Sequence, residues 1–438
     1  RVIAGLGQAQ APAYLYIPLG FRPAQGGSGM VPTYPPGFPV LLLLARALAG
    51  WSRAAPLAMA AHALAGVLLT FLLARTVGLG RAWAACGAAA VAASPLYLFM
   101  SVQTMSDVPA LAWTALAVIA ALRTEKSAWW AVAAGLSLSF DVLIRPSNVL
   151  AFIPVLVALG PSPRRLAGLL LGGLPGAVFF LLHGAAAYGS AGATGYGDVW
   201  PDFGWRFAGE TLVHYALWLP IVATPFVFLG LGLPLLRGVP SRVRWTLASW
   251  CAAYLAFFAF YKCTHETWWY LRFLLPALPA ILVASMLVLR RLLEERPGSP
   301  RTWRAVAAAS AAAAAACASY TADASIKPLL LARPERAYPG VAAFVRQSLP
   351  ADAVCLSVQA TGALYYYTNL TFVRWDFIDK ASRPALEAAL AASKRPLYAV
   401  LFPYEYENPA VLGSMPGHWT SVGKVDGILV LKRDSVLP

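Results

Sequence analysis

The feature that most constrains this chain is a series of apolar runs of membrane-spanning length. They recur from about Ala55 to about Tyr320 and are separated only by short breaks marked by Arg or Pro. A single water-soluble core cannot accommodate that pattern, because 59% of the 438 residues are hydrophobic and only 12% are charged. Candidate spans fall at 57–76, 83–100, 108–122, 128–144, 148–161, 166–187, 209–236, 245–262, 271–290 and 304–321, the shortest of them implying oblique or broken helices. The expected fold is therefore an all-α polytopic membrane domain of about ten spans, followed by a small C-terminal α/β soluble domain. The chain begins Arg1-Val2-Ile3 with no initiator Met, so one further span is expected upstream.

The net charge of +15 does not point to nucleic acid, because it follows the membrane pattern. Residues 335–438 hold ten basic and nine acidic side chains, which leaves fourteen of the fifteen charges on the hydrophobic part. They concentrate in short connections, as positive-inside bias requires. The connections with Arg123 and Lys126, Arg164 and Arg165, Arg237 to Arg244, and Arg290 to Arg304 are expected on the cytoplasmic side. Residues 105–107, 145–147, 188–208, 262–270 and the C-terminal domain are then expected outside, in a multi-pass membrane protein. The five cysteines are scattered without metal-ligand spacing and read as small hydrophobes.

Three domains follow: 1–56 as an external loop, 57–322 as the transmembrane helical domain, and 335–438 as an extracytoplasmic α/β domain. Within the first, 38–50 is too short for a straight span and enters through prolines, so it reads as an interfacial or re-entrant helix. In the last, helices at 338–347, 362–367 and 383–393 alternate with strands at 353–358, 371–375 and 397–403, and strands near 419–425 and 427–432 close the series. No Gly-rich phosphate loop follows any of these strands, so a nucleotide cofactor has no support.

Against this background individual charges stand out. The first 106 residues contain no Asp or Glu, so Asp107 in Ser106-Asp107-Val108-Pro109 is conspicuous at the start of a span. It could cap the following helix, or serve a site. Arg145, in Leu143-Ile144-Arg145-Pro146, and Arg272, in Tyr270-Leu271-Arg272-Phe273, sit at external span ends, where charge bias disfavours them. Snorkelling toward headgroups is the bland explanation; anion recognition by the guanidinium fork is the functional one. Asp141, four residues before Arg145, has the spacing of an internal counter-ion. His265 and Glu266 lie in the densest polar and aromatic connection, and could hold an acceptor, pair with an arginine, or ligate a metal as part of a larger set. Asp198 and Asp202 occupy a loop that could reach a site, and the neighbouring Trp268, Trp269 and Tyr270 suit either a membrane-interface belt or a sugar face.

Taken in order, Met30-Val-Pro-Thr-Tyr34-Pro-Pro-Gly37, Ser106-Asp107 before Pro109, Arg145-Pro146, and Tyr270-Leu-Arg-Phe-Leu-Leu-Pro276 resemble the C-type polytopic glycosyltransferases, in particular the protein mannosyltransferase and lipid A aminoarabinose transferase group. The resemblance covers essentially the whole chain. It implies inverting transfer of a sugar from a polyprenyl-phosphate donor to a lipid, glycan or protein acceptor on the non-cytoplasmic face, with membrane lipids as surroundings and no nucleic-acid partner. It further implies that Asp107 takes the second external acidic position as the catalytic carboxylate and that Arg272, with Arg145, contacts the donor phosphate. Tyr34, His265, Glu266, Asp198 and Asp202 are the candidate acceptor contacts. The family's first external acidic residue has no counterpart from Arg1 to Met105, so it lies upstream or the chain has departed from that mechanism. No organic cofactor is implied, and a divalent cation sharing the neutralisation of the phosphate is left open. The competing class is a transporter of a lipid-linked substrate, or a noncatalytic assembly protein, using the same broken helices and border charges.

Overall fold

The computed structural model describes residues 12–24, 29–294 and 335–434, which fall into two compact units. One comprises Arg1–Tyr34, Leu182–Gly197 and Leu331–Pro438; the other comprises Pro35–Leu181 and Asp198–Leu330. Residues up to Tyr34 fall in the unit that holds the C-terminal sheet, and the helical unit begins at Pro35.

The reason is apolar burial. A short 3-10 turn, Ala13–Tyr16, places Leu15 and Tyr16 in a core with Val354, Leu356, Val373, Leu386 and Leu401. The backbone N–H of Arg374 donates to Leu15 O at 2.8 Å, and that of Leu19 to Thr361 Oγ1 at 3.0 Å. Burying Leu15 contributes about 1.5–3 kcal/mol. Strands β1 (Phe21–Pro23) and β2 (Met30–Pro32) form a small antiparallel ribbon in the same unit.

The C-terminal sheet follows the expected strands closely: β3 (Val354–Leu356), β4 (Thr371–Val373), β5 (Leu397–Leu401), β6 (Trp419–Val425) and β7 (Ile428–Arg433), ordered β4-β3-β5-β7-β6. The first three are parallel and fully buried, as their unbroken apolar runs require. β6 and β7 form a hairpin whose turn residues, Asp426 and Gly427, both have positive φ (49° and 86°). That is the turn geometry that matches strand twist, and Asp-Gly supplies it at little steric cost.

The helical unit contains α1 (Gly37–Ala49), α2 (Trp51–Thr76), α3 (Arg81–Ala93), α4 (Pro95–Ser101), α5 (Asp107–Leu122), α6 (Trp129–Ile144), α7 (Phe152–Leu159), α8 (Pro163–Tyr188, entering the other unit at Leu182), α9 (Ala208–Val222), α10 (Ser241–Ala259) and α11 (Leu278–Glu294). Every expected span up to residue 290 is occupied by helix; 304–321 lies outside the described residues. Among the described residues four stretches are long and apolar enough to cross a membrane alone, and six are if each sharply bent pair counts as one. Two expected straight spans are the bent pairs. α3 and α4 meet at 61° where Ser94 caps α4 before Pro95, and α9 meets the 3-10 segment Val227–Leu235 at 111° across Thr224-Pro225.

α5 and the stretch Trp268–Leu293 are buried almost all round, whereas α2 and α8 expose most of their apolar surface, so the first two lie at the centre of the unit and the other two face outward. Close backbone approach ties α8 to α6: a Cβ on Gly172 would lie 2.0 Å from Val132 O, and one on Gly135 would lie 2.1 Å from Leu169 O. Without a hydrophobic drive between helices in lipid, such small-residue contacts hold them together by dispersion. α1 is 13 residues long, about 20 Å, and is separated from α2 by Gly50 at φ 74°. Gly37 lets its first turn rest on the Leu143–Ile144 backbone, where a Cβ would approach Ile144 N to 2.5 Å. The residues immediately before Arg145 are thereby held from one side.

Candidate functional site

Three of the sequence-selected charges converge in the helical unit. Asp107 is the first residue of α5 and is 3% exposed. Its side chain does not cap the helix; Oδ1 accepts a charge-assisted hydrogen bond from Arg145 Nη1. Arg145 reaches it because α6 stops at Ile144 and Arg145 takes extended backbone angles (φ −146°, ψ 115°) ahead of Pro146. The ion pair with Asp107 links α6 to α5, and Arg145 also lies within electrostatic reach of Asp141, four residues earlier. Asp141 is wholly buried, accepting from Thr114 Oγ1 at 2.5 Å and Asn148 Nδ2 at 2.7 Å, and Tyr254 OH donates to Asn148 Oδ1 at 3.2 Å. This network joins α5, α6, the 3-10 turn Pro146–Ala151 and α10 directly beneath Arg145.

Arg272 has a different environment. It lies in the 3-10 segment Trp268–Ala277, its Nη1 meets Met105 Sδ at 3.0 Å, and its Nε is buried without a hydrogen-bond partner. No carboxylate pairs with it among the described residues. Its guanidinium carbon lies 5.4 Å from the Phe273 ring and 5.6 Å from the Tyr270 ring, and that of Arg145 lies 5.5 Å from the same Phe273 ring. Phe273 also stacks on Tyr270 and Phe258, with centroids 5.8 and 5.2 Å away, and packs edge-on to Tyr261. Two guanidinium groups thus share one aromatic ring beside a single carboxylate. Cation–π contact supports each charge by about 0.5–2 kcal/mol and leaves hydrogen-bond donors for an anion.

The remaining candidates divide. His265 is in the helical unit, with Nε2 2.9 Å from Glu210 Oε2 and its ring over Phe207. That pair joins the 264–267 turn to α9, and around it Thr211 Oγ1, His214 Nε2, Thr264 Oγ1, His265 Nδ1 and Thr267 Oγ1 are all buried without a partner. Buried polar atoms are normally satisfied, so this group of unpartnered ones departs from the usual pattern. Glu266 is exposed. Asp202 is engaged by Lys262 at 2.7 Å, a bond that raises the lysine's pKa, and Asp198 accepts only from the backbone of Trp200. Both pin the loop before α9. Tyr34 belongs to the other unit, exposed and edge-on to Tyr196 at 6.2 Å. Trp268 is buried against Phe99, so it is core and not an interfacial belt residue.

Sequence reading missed Phe273, Phe258 and Met105, which carry no polar signal, and the unsatisfied Thr211 and His214, whose role appears only when α9 meets the 264–267 turn. Among the described residues no three His, Cys, Asp or Glu side chains come together in a set that could hold a metal ion.

Sequence comparison matches no family model and no curated protein at a significant level. Solved structures do match. ArnT from Cupriavidus metallidurans in the apo state aligns with a TM-score of 0.59 at 15% identity over 91% of this chain and 87% of that one. ArnT bound to undecaprenyl phosphate gives 0.56 at 14% over 92% and 88%. The archaeal oligosaccharyltransferase AglB from Archaeoglobus fulgidus, in complex with an inhibitory peptide and a dolichol-phosphate, gives 0.55 at 13% over 96% and 68%. These neighbours are GT-C glycosyltransferases, and the chain has the GT-C fold, a polytopic membrane architecture with a small C-terminal sheet domain.

Proposed function

We propose that this protein is a glycosyltransferase that moves a sugar from a polyprenyl-phosphate donor to a lipid, glycan or protein acceptor, with inversion at the anomeric carbon. The observation that carries the reading is Arg272, a half-buried guanidinium without a carboxylate partner among the described residues, next to a second arginine at the same aromatic ring. Isolated charge at a membrane border is costly unless a ligand uses it. ArnT has been crystallised with undecaprenyl phosphate and AglB is complexed with a dolichol-phosphate, and both share this fold, which supports a lipid phosphate as that ligand.

In the proposed reaction an acceptor hydroxyl attacks the anomeric carbon, the carbon–oxygen bond to phosphate breaks, and polyprenyl phosphate departs with the electron pair. Arg272, assisted by Arg145, meets the developing phosphate charge. Asp107, whose Oδ1 holds Arg145, offers Oδ2 to orient the hydroxyl or accept its proton. The unsatisfied polar atoms of Thr211, His214, Thr264, His265 and Thr267 support recognition of a polyhydroxylated group. In this reading Arg272 and Arg145 contact the phosphate, and a divalent cation sharing its neutralisation stays open.

The C-terminal domain and residues 188–208 are proposed to be extracytoplasmic in a bacterial cell, with 38–50 at the outer surface; cysteine labelling of sealed cells should tag all three without permeabilisation. The chemistry is tested by incubating purified protein with radiolabelled polyprenyl-phosphate sugars and a panel of lipid, glycan and peptide acceptors. Covalent transfer by the wild type, lost in folded Arg272→Ala, is expected. Vectorial movement of the lipid without bond transfer identifies a transporter, and neither activity across the panel points to an assembly role.

A further inference from the structure

At the far end of α5 from Asp107, about 24 Å along the helix, the structure has a cleft of about 560 Å³. It opens where α7 ends and α8 and α10 begin, and Leu159, Ser162, Arg165, Ser241, Arg242 and Trp245 line it. Arg242 builds the floor. Its guanidinium donates to Ala158 O, to Ala121 O at 2.9 Å and to Thr124 Oγ1 at 3.0 Å, and it pairs with Glu125 at 2.5 Å. Glu125 is thereby matched, and the other charged lining residue is Arg165, with Arg244 beside the lining Trp245. Arg165 donates from Nη1 to Leu159 O at 3.1 Å and makes no other hydrogen bond among the described residues. Arg244 lies 5.8 Å from the Trp245 ring, its Nε buried without a partner.

The walls change character away from these residues. Trp245 is 51% exposed, and on the flanking helices Leu156 is 44% and Leu170 71% exposed, with Leu235 at 84% beside the carbonyl that Arg244 contacts. Guanidinium and hydroxyl groups at one level, a tryptophan beside them and outward-facing leucines beyond follow the sequence of layers at a bilayer border. We propose that this cleft holds the headgroup of an anionic phospholipid, its phosphate on Arg165 and the Ser162 and Ser241 hydroxyls and its acyl chains along Leu156 and Leu170. The lipid would sit at the membrane border opposite the Asp107–Arg145 pair. It would be a structural ligand distinct from any substrate of the transfer reaction, and its test does not depend on that reaction.

Full-length protein in a neutral detergent is mixed with phosphatidylglycerol, phosphatidylcholine or inorganic phosphate, and followed by native mass spectrometry and thermal unfolding. One phosphatidylglycerol should be retained about five-fold more strongly than phosphatidylcholine, as expected for about 1 kcal/mol between one arginine and the net negative charge that phosphatidylglycerol carries and zwitterionic phosphatidylcholine does not. Arg165→Gln and Trp245→Ala should each reduce that retention several-fold, while Arg53→Gln, which removes an exposed arginine on α2, should not. Inorganic phosphate should leave the unfolding temperature unchanged. Equal retention of the two lipids, undiminished retention in both cleft variants, or stabilisation by inorganic phosphate equal to that by phosphatidylglycerol overturns the assignment.

Discussion

Replacing Arg272 by Ala separates binding from stability, because of what surrounds it. In the structure the guanidinium contacts Met105 Sδ and faces two rings at 5.4 and 5.6 Å, with Nε unsatisfied. Its removal gives up about 1–2 kcal/mol of cation–π attraction and relieves one unsatisfied buried donor worth about 1–3 kcal/mol, so the net effect on folding lies between a loss of about 1 kcal/mol and a gain of about 2 kcal/mol. A lipid phosphate seated on Arg272 would lose a charge-assisted hydrogen bond of about 1.5–3 kcal/mol, which is about a 10- to 100-fold loss of affinity. The assay is titration of purified protein with undecaprenyl phosphate, read by native mass spectrometry, with unfolding temperature as the control. Arg272→Lys keeps the charge without the planar fork and should fall between the two. Binding of undecaprenyl phosphate within about three-fold of wild type by a folded Arg272→Ala protein, a difference of under 1 kcal/mol, would refute the phosphate role.

Other consequences are equally direct. Arg145→Met leaves the Asp107 carboxylate buried without its partner and should destabilise the protein by about 3–5 kcal/mol, whereas Asp107→Leu with Arg145→Met should recover most of that loss; thermal and denaturant unfolding of the two variants decide it. Leu15→Ala should cost about 2–5 kcal/mol in the unit holding the C-terminal sheet, read by protease resistance of 335–434, and an unchanged digestion rate would detach the N-terminal segment from that core. Asp379, which accepts hydrogen bonds from the backbone and side chain of Ser382, has its pKa lowered below 3.8 by them. A lowered folded-state value contributes stability above the unfolded pKa and loses it as pH falls through the folded one. Asp379→Ala should therefore weaken the protein at pH 6, and its deficit relative to wild type should close as pH drops below 3.8.

The strands and helices of the C-terminal domain were legible because each is a short apolar run bounded by polar or turn residues, with Asp426-Gly427 an explicit hairpin signal. Asp107, Arg145 and Arg272 were legible because a lone charge in an apolar stretch has few neutral explanations. Their company was not. Helical spacing nominated Asp141 as the counter-ion of Arg145, but it could not reveal the pair with Asp107, which forms across two helices where α6 ends. Which arginine meets which carboxylate was decided by the packing of α5 against α6. The aromatic ring shared by Arg145 and Arg272, and the polar atoms left unsatisfied between α9 and the 264–267 turn, exist only once segments far apart in the chain are brought together. Leu15 shows the same limit from the apolar side: hydrophobicity determined that it would be buried, and only the tertiary fold decided that the sheet near residue 354 would bury it. Local patterns specify what a segment must hide or expose, because that follows from transfer free energy alone, whereas the identity of the partner is a property of two surfaces meeting in space.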